Sequence, residues 1–167
     1  MEVDMVQTVV FIICSLVTLG AAFAVVTSKN LFHSALFLVL SFVGVASLYI
    51  LLEAPFLAAV QILVYVGAIA ILIVFAIMLT RRLMAKDLVQ RNAQWGWSAL
   101  GAVLFFVALG LILLRVNWPV VEAAVPAETI SILGQDLMGR YLVPFEVASV
   151  LLLVALVGSI IIARERE

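Results

Sequence analysis

Few polar side chains in this sequence could do chemistry, and the two most conspicuous sit where polarity is most costly. Gln61 and Tyr65 lie in the middle of an otherwise apolar run, Phe56–Leu79, with Gly67 two residues further on. An α-helix brings residues four apart onto one face, so Gln61 and Tyr65 are expected to share a side with Ala58, Ala68 and Leu72. An unpaired amide or hydroxyl in hydrocarbon costs about 2–7 kcal/mol. That face must therefore meet protein or water. Gly67 leaves the backbone uncovered, which lets a neighbouring helix approach and makes a local π-bulge cheaper. The run contains no carboxylate, lysine or histidine, so it can hold, orient or exclude water but carries no charged group to store a proton. Two uses stay open: hydrogen-bonding glue between helices, or control of water at mid-membrane.

The remaining polar groups read more plainly. Glu53 precedes Pro55, and Glu146 follows Pro144. Both carboxylates are expected near helix N-termini, where they complement the helix dipole; a functional carboxylate is the alternative at each. His33 stands alone close to Lys29 and an interface, without the partners a ligand or proton relay needs. Cys14 is the only cysteine, which excludes a disulfide framework and a thiolate metal site and leaves a small packing residue. No glycine-rich phosphate loop, no cysteine or histidine cluster and no Ser/His/Asp arrangement is present.

The elements that must position these groups follow from composition. The 167 residues are 67% hydrophobic and 11% charged, with a mean hydropathy of +1.35; this is an integral membrane protein of the all-α class. Apolar runs long enough to cross a bilayer fall near 6–26, 31–52, 56–79, 95–114 and 145–163, giving five transmembrane helices in a single membrane domain. The first run lacks a basic prefix and a cleavage site, so it reads as a retained helix. The links Thr27–Asn30 and Glu53–Pro55 are so short that spans one to three must run up, down and up side by side.

Basic residues set the orientation. Lys29, Arg81, Arg82, Lys86, Arg91, Arg164 and Arg166 all fall on one side, which is seven of the nine. The N-terminus is therefore expected outside and the C-terminus in the cytoplasm, with a cytoplasmic linker at 80–94. Trp95 and Trp97 open the fourth span as interfacial anchors. The outer segment 115–144 carries Trp118, Pro119, Pro126, Ile130, Ile132, Leu133 and Leu137, too apolar for a free loop, so it is expected to pack on partner subunits.

Two stretches go beyond generic membrane patterning. Ala59–Ile69, AVQILVYVGAI, followed by Leu72–Leu79, resembles the third membrane helix of subunit J of respiratory complex I, the NADH:quinone oxidoreductase chain 6 family. Leu133-Gly134, Leu137, Tyr141 and Pro144–Ala155 resemble that family's last helix, and Asn30–Leu36 resembles its entrance to helix two, with Leu31 where the family often has proline. The resemblance implies a non-catalytic core membrane subunit with no catalytic, cofactor-binding or metal-binding residue of its own. It would sit among the other membrane subunits of complex I and lipid in a bacterial or archaeal plasma membrane. It would not act as a monomer and would bind no nucleic acid. FMN, iron–sulfur clusters and quinone are implied on partner subunits. The family's third helix carries a π-bulge, which maps here to Tyr65–Gly67, and its rotation is associated with opening and closing a water path. Carried over, Gln61, Tyr65 and Gly67, with Val64 and Ile69, become gating residues; some relatives have glutamate where this chain has Gln61. The alternatives are the matching subunit of a membrane-bound hydrogenase or ferredoxin-dependent complex, a structural scaffold, or a small self-contained transporter.

Overall fold

Long unbroken apolar sequence with only short polar interruptions leaves the backbone one way to satisfy its hydrogen bonds in a bilayer, which is to keep them within helices. The computed structural model describes residues 2–80, 94–117 and 128–164, and every regular element among them is helical. These are α1 (Glu2–Thr27), α2 (Leu31–Leu51), α3 (Pro55–Leu79), α4 (Trp95–Arg115), α5 (Thr129–Met138) and α6 (Leu142–Ala163). Five of them, all but α5, are long and apolar enough to span a membrane. Arg81, Arg82, Lys86 and Arg91 of the linker, Trp118, Pro119 and Pro126 of the outer segment, and Arg166 lie outside the described residues.

The chain divides into two compact units, Met1–Val121 and Glu122–Glu167. In the first, α1 and α2 meet along small residues. The covered side of α1 runs through Cys14, Thr18, Ala21, Val25 and Ser28, in steps of four and three, and α2 buries Ala35, Ser41, Gly44 and Ala46. Small side chains let two backbones approach, so dispersion can act where hydrocarbon offers no hydrophobic drive. The approach is closest at Gly44, where an added methyl group would overlap the Thr18 hydroxyl and stand 3.2 Å from the Thr18 Cα. The Thr18 hydroxyl is satisfied within its own helix, donating to the Cys14 carbonyl at 2.7 Å. Ser34 crosses the interface instead, donating from its hydroxyl to the Val25 carbonyl.

Both turns are capped from the sequence. Asn30 accepts the Phe32 N–H at 2.9 Å and starts α2. At its other end Ala54 N–H reaches the Tyr49 carbonyl and Glu53 N–H the Ile50 carbonyl, a Schellman closure with Glu53 in the left-handed position at φ 54°.

Two boundaries in the second unit differ from the sequence expectation. Residues 129–138 of the supposed outer loop form α5, whose half-buried residues are Leu133 and Leu137, one turn apart, and which packs on α6. Helix α6 begins at Leu142 and not at the proline. Pro144 still falls in the first turn, where its missing N–H costs nothing. In α4 and α6 no residue is buried.

The Gly44 contact yields a test. Gly44→Ala is expected to destabilise the packed α1–α2 pair by about 1–3 kcal/mol, seen as earlier unfolding of the purified protein in detergent. Adding Thr18→Ala, which removes the overlapping hydroxyl, should restore part of the loss.

Candidate functional site

Helix α3 is not α-helical throughout. Pro55–Val60 and Ile71–Leu79 are α, but Gln61–Ala70 between them is a π-helix of 10 residues. Its backbone N–H groups bond five residues back instead of four. The expected bulge at Tyr65–Gly67 is thus present, and it extends to both sides. Gly67 shows why it falls here: a Cβ at this position would lie 3.3 Å from the Ile62 carbonyl oxygen, five residues back. A side chain would press on the very carbonyl that the wider turn brings beneath it.

The π segment corrects the expected polar stripe. Ala58 and Gln61 are buried as the α-helical spacing requires. Beyond them the covered positions are Val66, Ala70, Ile73, Val74 and Ile77, while Ala68 and Leu72 are exposed and Tyr65 is 43% exposed. The step from Gln61 to Val66 is five residues. One extra residue in the turn rotates all that follows by about 100°, the angle between successive helical residues, so the face that an unbroken α-helix would turn inward is turned out.

Gln61 and Tyr65 nevertheless meet one residue of α2. Gln61 Nε2 donates to the Phe42 carbonyl at 3.4 Å, a long and therefore weak bond. The Tyr65 ring stands edge-on to the Phe42 ring, with centroids 5.5 Å apart and planes at 72°, a geometry worth about 0.5–1.5 kcal/mol. Gln61 is 7% exposed, whereas the Tyr65 hydroxyl has no partner among the described residues. Val64 and Ile69 lie on the exposed side of α3. An open, wholly apolar groove, lined by neither of them, runs between Val39 of α2 and the Ile62, Gly67 and Ile71 side of α3. Phe42 is the residue that sequence reasoning missed; the signal was an aromatic side chain on the antiparallel neighbour, at about the depth of Tyr65.

The two carboxylates do not join this cluster. Glu53 closes α2, and the N-cap of α3 is Ala54. Its carboxylate makes no hydrogen bond among the described residues. Glu146 lies in the second turn of α6, because that helix starts earlier than its proline. Its backbone carbonyl accepts the Ser149 hydroxyl at 2.7 Å, the self-satisfaction expected of that serine. His33 is exposed, edge-on to Phe32 at 6.3 Å. Cys14 is half-buried on the covered side of α1. Among the described residues no three of His, Cys, Asp and Glu come together. With one cysteine and one histidine in the chain, the donor set does not fit an iron–sulfur cluster.

Residues 21–162 match the family model for NADH-ubiquinone/plastoquinone oxidoreductase chain 6. The chain is 40% identical to NAD(P)H-quinone oxidoreductase chain 6 of Synechocystis sp., over 95% of this chain and 81% of that protein. It is 35% identical to the chloroplastic subunit 6 of Mesostigma viride, over 98% and 87%. It is also 38% identical to F(420)H(2) dehydrogenase subunit J of Methanosarcina mazei, over 95% and 91%.

Glu53 supplies the prediction here. A left-handed backbone costs an L-residue about 1–2 kcal/mol, which glycine avoids at some cost in unfolded-state entropy. Glu53→Gly should leave the α2–α3 turn about 0.5–1 kcal/mol more stable, raising the temperature at which the purified assembly dissociates. A fall would mean that the carboxylate contributes more to the assembly than the strain it brings.

Proposed function

Because the chain belongs to the NADH-ubiquinone/plastoquinone oxidoreductase chain 6 family, we propose that it is a non-catalytic core membrane subunit of a proton-pumping NADH:quinone oxidoreductase. In this reading α3 helps couple quinone reduction to proton translocation by gating a water path. The observation that carries the reading is the π segment at the centre of a membrane span, with Gly67 set over the Ile62 carbonyl. A π turn and an α turn of the same residues differ by one residue of register. Passing between them swings Val64, Tyr65 and Ile69 by about 100°. The Tyr65 hydroxyl, without a partner among the described residues, is then placed to join or leave a chain of water linking titrating groups on neighbouring subunits. Gln61 anchors the N-terminal end of the moving segment on α2 through the Phe42 carbonyl.

In this reading FMN, iron–sulfur clusters and quinone sit on partner subunits, and the single cysteine and single histidine of this chain fit no iron–sulfur cluster. The same holds for the electron donor. The likeness to F(420)H(2) dehydrogenase subunit J, nearly as close as that to the quinone-reductase chains, favours a second reading: the equivalent subunit of a complex fed by another carrier, with the gate unchanged. The chain lies in a bacterial or archaeal plasma membrane with its N-terminus outside and its C-terminus in the cytoplasm, as the basic residues direct.

The test uses the intact assembly in membrane vesicles. Tyr65→Phe and Gly67→Val are each expected to lower protons moved per electron pair while donor oxidation continues. Unchanged coupling in both variants would remove the gating role. Loss of assembly without a change of coupling in the complexes that do form would leave helix packing as the function of these residues.

A further inference from the structure

The short helix α5 has no part in the reading of α3, and its place is fixed by the span that follows it. Only Gly139, Arg140 and Tyr141 separate it from α6, about 10 Å of chain at full stretch. The Gly139 and Tyr141 N–H groups both donate to the Asp136 carbonyl, at 3.3 and 2.8 Å, so the corner is closed by its own backbone. Helix α6 is 22 residues long, about 33 Å against a hydrocarbon thickness of about 30 Å. Arg140 precedes it and Arg164 follows it, and a charge at either end keeps the span from sliding inward. Leu142 therefore stands at the hydrocarbon boundary. Helix α5 packs on α6, which holds it at that boundary as well.

From this placement we infer that α5 lies along the membrane surface as an interfacial helix, its apolar side against phospholipid acyl chains and Arg140 among the headgroup phosphates. Ile130, Leu133, Gly134, Leu137 and Met138 recur at i, i+3, i+4, i+7 and i+8, which puts them on one side. Leu133 and Leu137 are half-buried, whereas Ile130 and Met138 are 63% and 65% exposed. Gln135 and Asp136 fall on the other side, where Ile132 is a single apolar residue of the kind that water tolerates. A helix apolar on one side and polar on the other, held at the depth of the headgroups, sinks its apolar side into the acyl boundary. The corner carries the matching anchors. The Arg140 guanidinium stands 5.7 Å from the centre of the Tyr141 ring, so a cation suited to phosphate sits over an aromatic ring suited to the interface. Contact with a partner subunit, expected from the sequence, is the competing occupant.

The intact complex in its own membrane tests this. A photo-crosslinking amino acid, p-benzoylphenylalanine, is placed at Ile130, Met138, Gln135 or Asp136, one position at a time. Assembled complexes are irradiated, and the mass of this subunit shows what it has captured. Several-fold more phospholipid adduct is expected from positions 130 and 138 than from 135 and 136. Gly134, beside which an added side chain would meet open space, takes the place of either apolar position that blocks assembly. Capture of another subunit from 130 and 138 would overturn the inference in favour of a protein contact. Equal phospholipid yields from all four positions would overturn it too, as would none from 130 and 138. Arg140→Gln should lower the yield at Met138 at least about two-fold, and an unchanged yield would remove Arg140 from the headgroup contact.

Discussion

A backbone crossing hydrocarbon finds no water to bond with, so any break in the i-to-i−4 ladder must be repaired within the same helix or by a neighbour. The π segment of α3 meets this condition: its amides still find carbonyls, one residue further back, and the chain departs from α geometry without exposing a bare polar group. The other features of the site follow from it. Glycine suits position 67 because a wider turn brings the Ile62 carbonyl close, and Tyr65 is turned outward because one residue has been added ahead of it. Gln61, just before the added residue, keeps the orientation that an ordinary helix would give it.

Much of the architecture could be read from hydropathy alone, because a bilayer imposes a length on every apolar run. The five spans, the tight turns at Asn30 and Glu53 and the small packing role of Cys14 needed only residue spacing and elementary propensity. Helix α5 was less legible. Its apolar residues Ile130, Leu133 and Leu137 are spaced for a helix, but their apolarity alone points only to an outer segment packed on partner subunits. The stripe on α3 was legible as far as Gln61 and not beyond. Periodicity presumes a constant turn, and the glycine that signals the change does not say how many residues take part. Glu53 illustrates another gap, since a sequence window cannot tell whether a residue between two helices closes the first or opens the second; hydrogen bonds decide that.

The family relationship narrows the question in an uneven way. Relatives of similar identity bear names that differ in the electron carrier, NAD(P)H in one case and F(420)H(2) in another. The likeness is therefore to a subunit position common to complexes named for different carriers.

The close contact between Gly44 and Thr18 bears on where motion in α3 can go. Two helices held at van der Waals distance along small residues behave as a single stiff plate, with little slack for α2 to yield toward α1. The opposite flank of α3, where Leu63 and Leu72 stand uncovered, has no such backing within the first three helices. In the proposed switch, rewinding of α3 would therefore act outward, onto whatever abuts that flank, with α1 and α2 as the wall it pushes from.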